Sequence, residues 1–168
     1  MEGRVDGVLL CDLRPDDPRV PAVERIGVPA VVIGPPSAGG RLATLWSDDA
    51  VPVAEAVDHL AGLGHTRIAR VAGLPGLAHT VSRTRAFTDR GLTEEMTVFT
   101  DYTGEAGARA TRDLLTGDPR PTAIVYDNDV MAVAGLAVAG EMGIEVPRQL
   151  SVVSWLSLIH ISEPTRPY

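Results

Sequence analysis

The sequence contains no lysine; all fifteen of its basic residues are arginine. They stand against 22 acidic residues, for a net charge of −7 and a pI of about 5.0. No basic stripe is available, which makes this stretch a poor nucleic-acid binder on its own. The single cysteine, Cys11, excludes an internal disulfide and a CxxC zinc site. Aromatic residues make up only 4%, so a core must be built from Val, Leu, Ala and Ile. No apolar run reaches the ~20 residues that a membrane helix needs. The opening residues, Met1-Glu2-Gly3-Arg4, lack the basic-then-apolar order of a signal peptide. GxGxxG, phosphate-loop, GxSxG and HExxH motifs are all missing, which argues against nucleotide enzymes.

What is present is a regular alternation of apolar runs and amphipathic segments. The chain has 168 residues, 45% of them apolar, enough for one domain or two small lobes. Buried-strand patterns lie at 5–10, 29–34, 68–72, 96–99, 122–126 and 150–154. Residues 41–47 read as an extended crossing segment. Helical patterns lie between the strands. Residues 20–26 form a short one ending at Gly27. Asp48-Asp49 open another, with Asp49 as its cap, Pro52 in its first turn, Val53, Val57 and Leu60 on one face, and Gly64 as its stop. Thr80 or Ser82 caps a third. Thr103 or Gly104 opens a fourth, with Ala106, Ala110 and Leu114 on its apolar face. A fifth, 129–142, is apolar nearly all round, so burial on more than one side is expected. Alternation of this kind predicts an α/β fold with a parallel sheet and helices on both faces. Its ligands bind at the carboxyl ends of the strands.

Four stretches could carry chemistry. In "YDND" (126–129), Asp127, Asn128 and Asp129 either meet a polar ligand or divide between a helix cap and solvent. Arg83 lies near a helix start after a strand, where its fork could reach a ligand hydroxyl or a surface carboxylate; His79 sits just before it. His65 lies at the amino end of its strand, which suits a structural role. Cys11 follows a strand with no His or acid pattern nearby, so a small packed thiol is expected.

The segments "VDGVLL", "GVPAVVIG", "DDAVPVAEAVDHLAGLGHTRIARVAG", "SRTRAF", "TGEAGARATRDLL" and "PTAIVYDNDVMAVAGLAVAGEMGIEVPRQLSVVSW" resemble, in order, landmarks of the lactose-repressor (LacI/GalR) family of bacterial transcription regulators. The resemblance implies a periplasmic-binding-protein-like effector domain of two lobes. Residues 1–47 would be a remnant of the N-terminal lobe and 48–155 most of the C-terminal lobe. It implies a cytoplasmic, homodimeric parent that represses or activates transcription, contacting DNA only through a helix-turn-helix upstream of Met1. No cofactor, metal or membrane is implied. By resemblance the effector, a sugar or nucleoside, meets His79, Arg83, Tyr102 and Asn128, while Asp129 caps the helix.

Two departures from the family pattern matter. Only three residues separate Phe87 from Gly91-Leu92, fewer than usual in the family, so poor support is expected at that helix end. After "SVVSW", Leu156 stands where the family places an acidic effector contact, and "SLIHISEPTRPY" resembles translated sequencing-adapter read-through. Residues 156–168 are therefore expected to be non-native. Lobe one then keeps two recognisable strands, too few for a stable sheet; it is expected not to form and to leave apolar strand surface exposed, with effector binding weak or absent. Two alternatives remain open: a sugar-binding protein of a transport system, and a small α/β enzyme using Asp127 or Asp129.

Overall fold

The computed structural model describes residues 5–155; the expectation for the tail falls outside them. Two parallel sheets form. The first has the order β1-β2-β3, from β1 (Val8–Leu10), β2 (Ala30–Ile33) and β3 (Ala43–Leu45). Helix α1 (Arg19–Ile26) crosses between β1 and β2 and ends on Gly27, whose φ of 72° is left-handed. Leu10, Leu13, Val20, Val32 and Ala38 form a small core of their own.

The expectation that lobe one cannot form is thereby corrected. The segment read as a crossing contains a third strand, because Ala43, Thr44 and Leu45 pair with Val31, Val32 and Ile33. The expected apolar surface is nonetheless there: Leu9 and Leu45 stay 67% and 64% exposed.

The second sheet has the order β5-β4-β6-β7, from β4 (Ile68–Ala72), β5 (Thr97–Phe99), β6 (Ala123–Tyr126) and β7 (Ser151–Ser154). Every residue of β4 and β6 is buried, as central parallel strands require. His65 takes the structural role its position predicted. Its Nδ1 lies 2.9 Å from Thr122 Oγ1 and its Nε2 2.8 Å from Ser151 Oγ, tying together the amino ends of β6 and β7.

Four helices cover this sheet. Helix α2 (Ala50–Gly62) buries Val53, Val57 and Leu60 as the spacing predicts. Helix α3 (Ala78–Thr88) starts earlier than expected, with Leu77 before its first turn and no side-chain cap. Thr80 and Ser82 lie inside it, and Thr80 is buried because its hydroxyl has another partner, described below. The expected weak support at its far end is also absent: Phe87 is fully buried beside Val53, Val57 and Leu60.

Helix α4 (Gly104–Thr116) is capped by Thr103, whose Oγ1 accepts from the Ala106 amide at 3.2 Å. It packs on α5 (Asp129–Glu141) through two glycines. A methyl at Gly107 would lie 2.7 Å from Met131 Cβ, and one at Gly135 would overlap the Tyr126 hydroxyl. Burial pushes the Tyr126 hydroxyl up to about 12, against the stabilising bond of its oxygen to Thr111 Oγ1 at 2.8 Å. Only one side of α5 is buried, through Met131, Ala132, Gly135, Val138 and Ala139. Val130 and Val133 face outward at 53% and 45% exposure, which corrects the expectation of burial on more than one side.

Candidate ligand cleft between the two sheets

The order β5-β4-β6 means that the chain leaves β4 in one direction and returns to its other side. Such a reversal opens a crevice at the carboxyl ends of the two strands, because the loops that follow them diverge. Here the crevice faces the loops after β1, β2 and β3. The result is a cleft of about 520 Å³ walled by both lobes, the size range of small-molecule sites. The backbone joins the lobes directly, since the Ala78 amide donates to the Leu13 carbonyl at 2.8 Å.

All four expected ligand residues, His79, Arg83, Tyr102 and Asn128, line this cleft. Arg83 is 7% exposed and held on three sides. Its Nε and Nη2 donate to Asp49 Oδ1 at 3.0 and 2.7 Å. Its Nη1 donates to the Asp127 carbonyl at 3.3 Å. Its guanidinium carbon lies 4.0 Å from the ring centre of Trp155, a cation–π contact. Trp155 is fixed in turn by its amide, which donates to the Tyr126 carbonyl at 2.8 Å and prolongs the β6–β7 ladder.

Tyr102 takes a left-handed backbone, φ 69°. Its hydroxyl lies 2.7 Å from His79 Nε2 and 3.0 Å from Thr80 Oγ1. The ring lies directly on Gly73, where a methyl group would overlap it. Burial, then the nearby Arg83 charge, pushes the His79 imidazole below its usual range, so it favours the neutral form. Burial likewise raises the Tyr102 hydroxyl.

Asn128 is the cap of α5: its Oδ1 accepts from the Met131 amide at 2.9 Å, and its Nδ2 donates to the Tyr102 carbonyl at 3.1 Å. Both calls on caps therefore change. Asp129 is the first helical residue, and among the described residues its Oδ1 accepts only from the neighbouring Val130 amide. Asp49 stands at the N-cap position of α2 as expected but makes no side-chain cap bond, its Oδ1 accepting from Arg83; Asp48 Oδ1 accepts from the Ala50 amide instead, at 2.8 Å. Cys11 is exposed at the cleft wall rather than packed.

The sequence reading missed Arg70. It is fully buried in β4, and its Nε and Nη2 donate to both oxygens of Asp127 at 2.8 and 2.7 Å. The Gly73 amide adds a bond to Asp127 Oδ2 at 3.2 Å. A charge inside the apolar run "IARVA" was the signal, since a buried arginine demands a buried acid. This pair takes both oxygens of Asp127, one of the two acids that the enzyme alternative named. Asp12, Trp46, Asp49 and Trp155 line the cleft too, and pattern alone gave none of them a ligand role.

A family model for the periplasmic binding protein-like domain matches residues 57–166. The chain belongs to that family. Its relatives are regulators of the lactose-repressor type. The HTH-type transcriptional regulator CelR of Thermobifida fusca is 31% identical over 159 residues, covering 90% of this chain and 47% of CelR. A LacI family transcriptional regulator from Bifidobacterium animalis has a solved structure with a TM-score of 0.83 at 43% identity, covering 95% of this chain and 61% of that one. The structure of a CelR–cellobiose complex matches with a TM-score of 0.77 at 31% identity, over 90% of this chain and 49% of that one. The chain thus spans about half the length of the curated relatives it matches. Among the described residues, no helix is long and apolar enough to cross a membrane.

Proposed function

We propose that this chain is the effector-sensing region of a DNA-binding transcriptional regulator, and that a small solute of the sugar or nucleoside class binds between its two sheets. The observation that carries this reading is the convergence of Arg83, Tyr102, His79, Asn128 and Trp155 on one cleft at the strand-order reversal. Aromatic faces suit the faces of a sugar ring or base, and the polar groups suit hydroxyls. The cellobiose complex of CelR supports the sugar class.

Sensing would work by closure. A solute that touches both lobes favours the closed arrangement over the open one by its difference in affinity for the two. In the whole protein, a cytoplasmic homodimer, that shift would reach a helix-turn-helix that contacts DNA. No chemical step is assigned to the cleft.

Titration calorimetry with neutral hexoses, disaccharides and nucleosides tests the sensing half. One class should saturate with a Kd of about 1 mM or tighter, and Arg83→Ala should abolish the signal. A mobility-shift assay tests the regulator half. The chain alone should leave DNA unshifted, while the gene product including upstream sequence should shift its own promoter and respond to the same solute. Heat from no class of solute, or a promoter shift indifferent to solute, would contradict the reading.

A further inference from the structure

We infer that Asp49 acts as a built-in counter-ion that restricts the cleft to uncharged solutes and keeps phosphorylated or acidic ones out. This rests on the proposed sensing role and adds the charge class of the ligand.

Arg83 is the one arginine among the described residues lining the cleft. A free guanidinium there would be an anion site, because its planar fork matches phosphate and carboxylate. It is not free. Asp49 Oδ1 takes its Nε and Nη2 edge, and Trp155 covers one of its faces. Arg83 and Asp49 are both largely shielded, their side chains 8% and 17% exposed, so the pair is weakly screened by salt.

The rest of the lining is acidic or neutral. Asp12 and Asp127 face the same space, and Asp127 is balanced from behind by Arg70. His79 leans to its neutral form. Asp12 has no cation beside it among the lining residues; the nearby Arg19 donates to its carbonyl at 2.9 Å and gives its carboxylate no hydrogen bond. An entering phosphate would have to displace Asp49 from Arg83 and sit beside the expelled carboxylate, and like charges so placed repel.

The same pair is well suited to a hydroxyl. A guanidinium has five N–H donors, and three are engaged here. Two remain, one on Nη1 and one on Nη2, and Asp49 Oδ2 accepts no bond among the described residues. The pair therefore keeps both donors and an acceptor unused. A sugar hydroxyl can use both kinds of group, whereas a phosphomonoester dianion has no hydrogen to donate and meets the carboxylate with a lone pair.

The test uses the full chain and its two tryptophans, Trp46 and Trp155, both of which line the cleft. Fluorescence is titrated with inorganic phosphate against sodium chloride of matched ionic strength, for the natural chain and for Asp49→Asn. The natural chain should show no saturable phosphate response below about 10 mM. Asp49→Asn, which frees Arg83 of its counter-ion, should respond at least about tenfold more tightly. A saturable response of the natural chain at lower concentration overturns the inference, and it does so whether or not the variant folds. An equal phosphate response from the two chains overturns it as well. A parallel titration with neutral hexoses, disaccharides and nucleosides separates this inference from the sensing role: silence toward all three classes with the phosphate contrast intact would remove the sensing role and leave the charge filter standing.

Discussion

Arg70 and Asp127 face each other across neighbouring strands, with two hydrogen bonds of 2.8 and 2.7 Å between fully buried groups. The pair sits directly beneath the cleft. Asp127 also receives the Gly73 amide through its carboxylate and Arg83 through its carbonyl. It therefore sets the loop after β4 and the start of α5 at once. Asp127→Leu should leave Arg70 buried and unpaired, at a cost of about 3–5 kcal/mol. Arg70→Met combined with Asp127→Leu should recover much of that loss. Urea denaturation of the two single variants and the double variant measures both effects; equal stability of Asp127→Leu and the natural chain would refute the role.

Gly73 supports Tyr102 in a different way. The ring lies where a side chain at position 73 would go, so Gly73→Ala must displace it. Tyr102 would then lose its hydroxyl contacts to His79 and Thr80. Solute affinity should fall by about tenfold, the loss of one or two polar contacts. Stability should change by only about 1 kcal/mol, because the ring can swing toward the open cleft. Calorimetry and denaturation on one sample distinguish this outcome from general unfolding.

Much of this fold was legible because parallel strands and their helices leave strong marks. The run "IARVA", the Gly64 stop and the Val53, Val57, Leu60 face all fall where periodicity put them. The four ligand residues came from the family resemblance, and all four line one cleft. Their partners were less visible. Asp49 and Arg83 are 34 residues apart and meet only through tertiary structure, so no local pattern could show that Asp49 serves an arginine rather than its own helix. The division of labour in "YDND" failed for a related reason. Asn and Asp are both good caps, and the choice of Asn128 depends on Tyr102 supplying a carbonyl for its amide. Strand β3 was missed because three residues on a sheet edge carry too little pattern to stand apart from an extended loop.

Stability should depend on pH through His79. Burial, then Arg83, depresses its folded-state value below the unfolded one, which is about 6.5. The unfolded chain therefore binds more protons in that window. The contribution is complete above about 6.5 and is lost as pH falls through the folded value. The melting temperature should drop between pH 7.5 and 5.5, and the drop should be smaller in His79→Gln. Identical slopes in the two proteins would count against the assignment.

Close packing of α4 on α5 predicts a sharp size limit at Gly135. A methyl there overlaps the Tyr126 hydroxyl, which is bonded to Thr111. Gly135→Ala should destabilise the chain by about 1–3 kcal/mol through overpacking. Tyr126→Phe removes the nearest obstructing atom but keeps the ring carbon Cζ, 2.6 Å from the added methyl, so pairing the two should restore only a small part of the loss. Thermal melts of both variants settle the point.

A solute bound between the two sheets must touch side chains of both lobes. Two-dimensional nitrogen–proton NMR of the full chain, titrated with cellobiose and with a neutral nucleoside up to about 10 mM, reads this residue by residue. Saturable shifts should appear at the Trp46 and Trp155 indoles, the Arg83 Nε–H and the Asn128 side-chain amide, and nowhere with comparable size outside the cleft. Shifts centred on another surface, or none at these four groups for either solute, would contradict this placement.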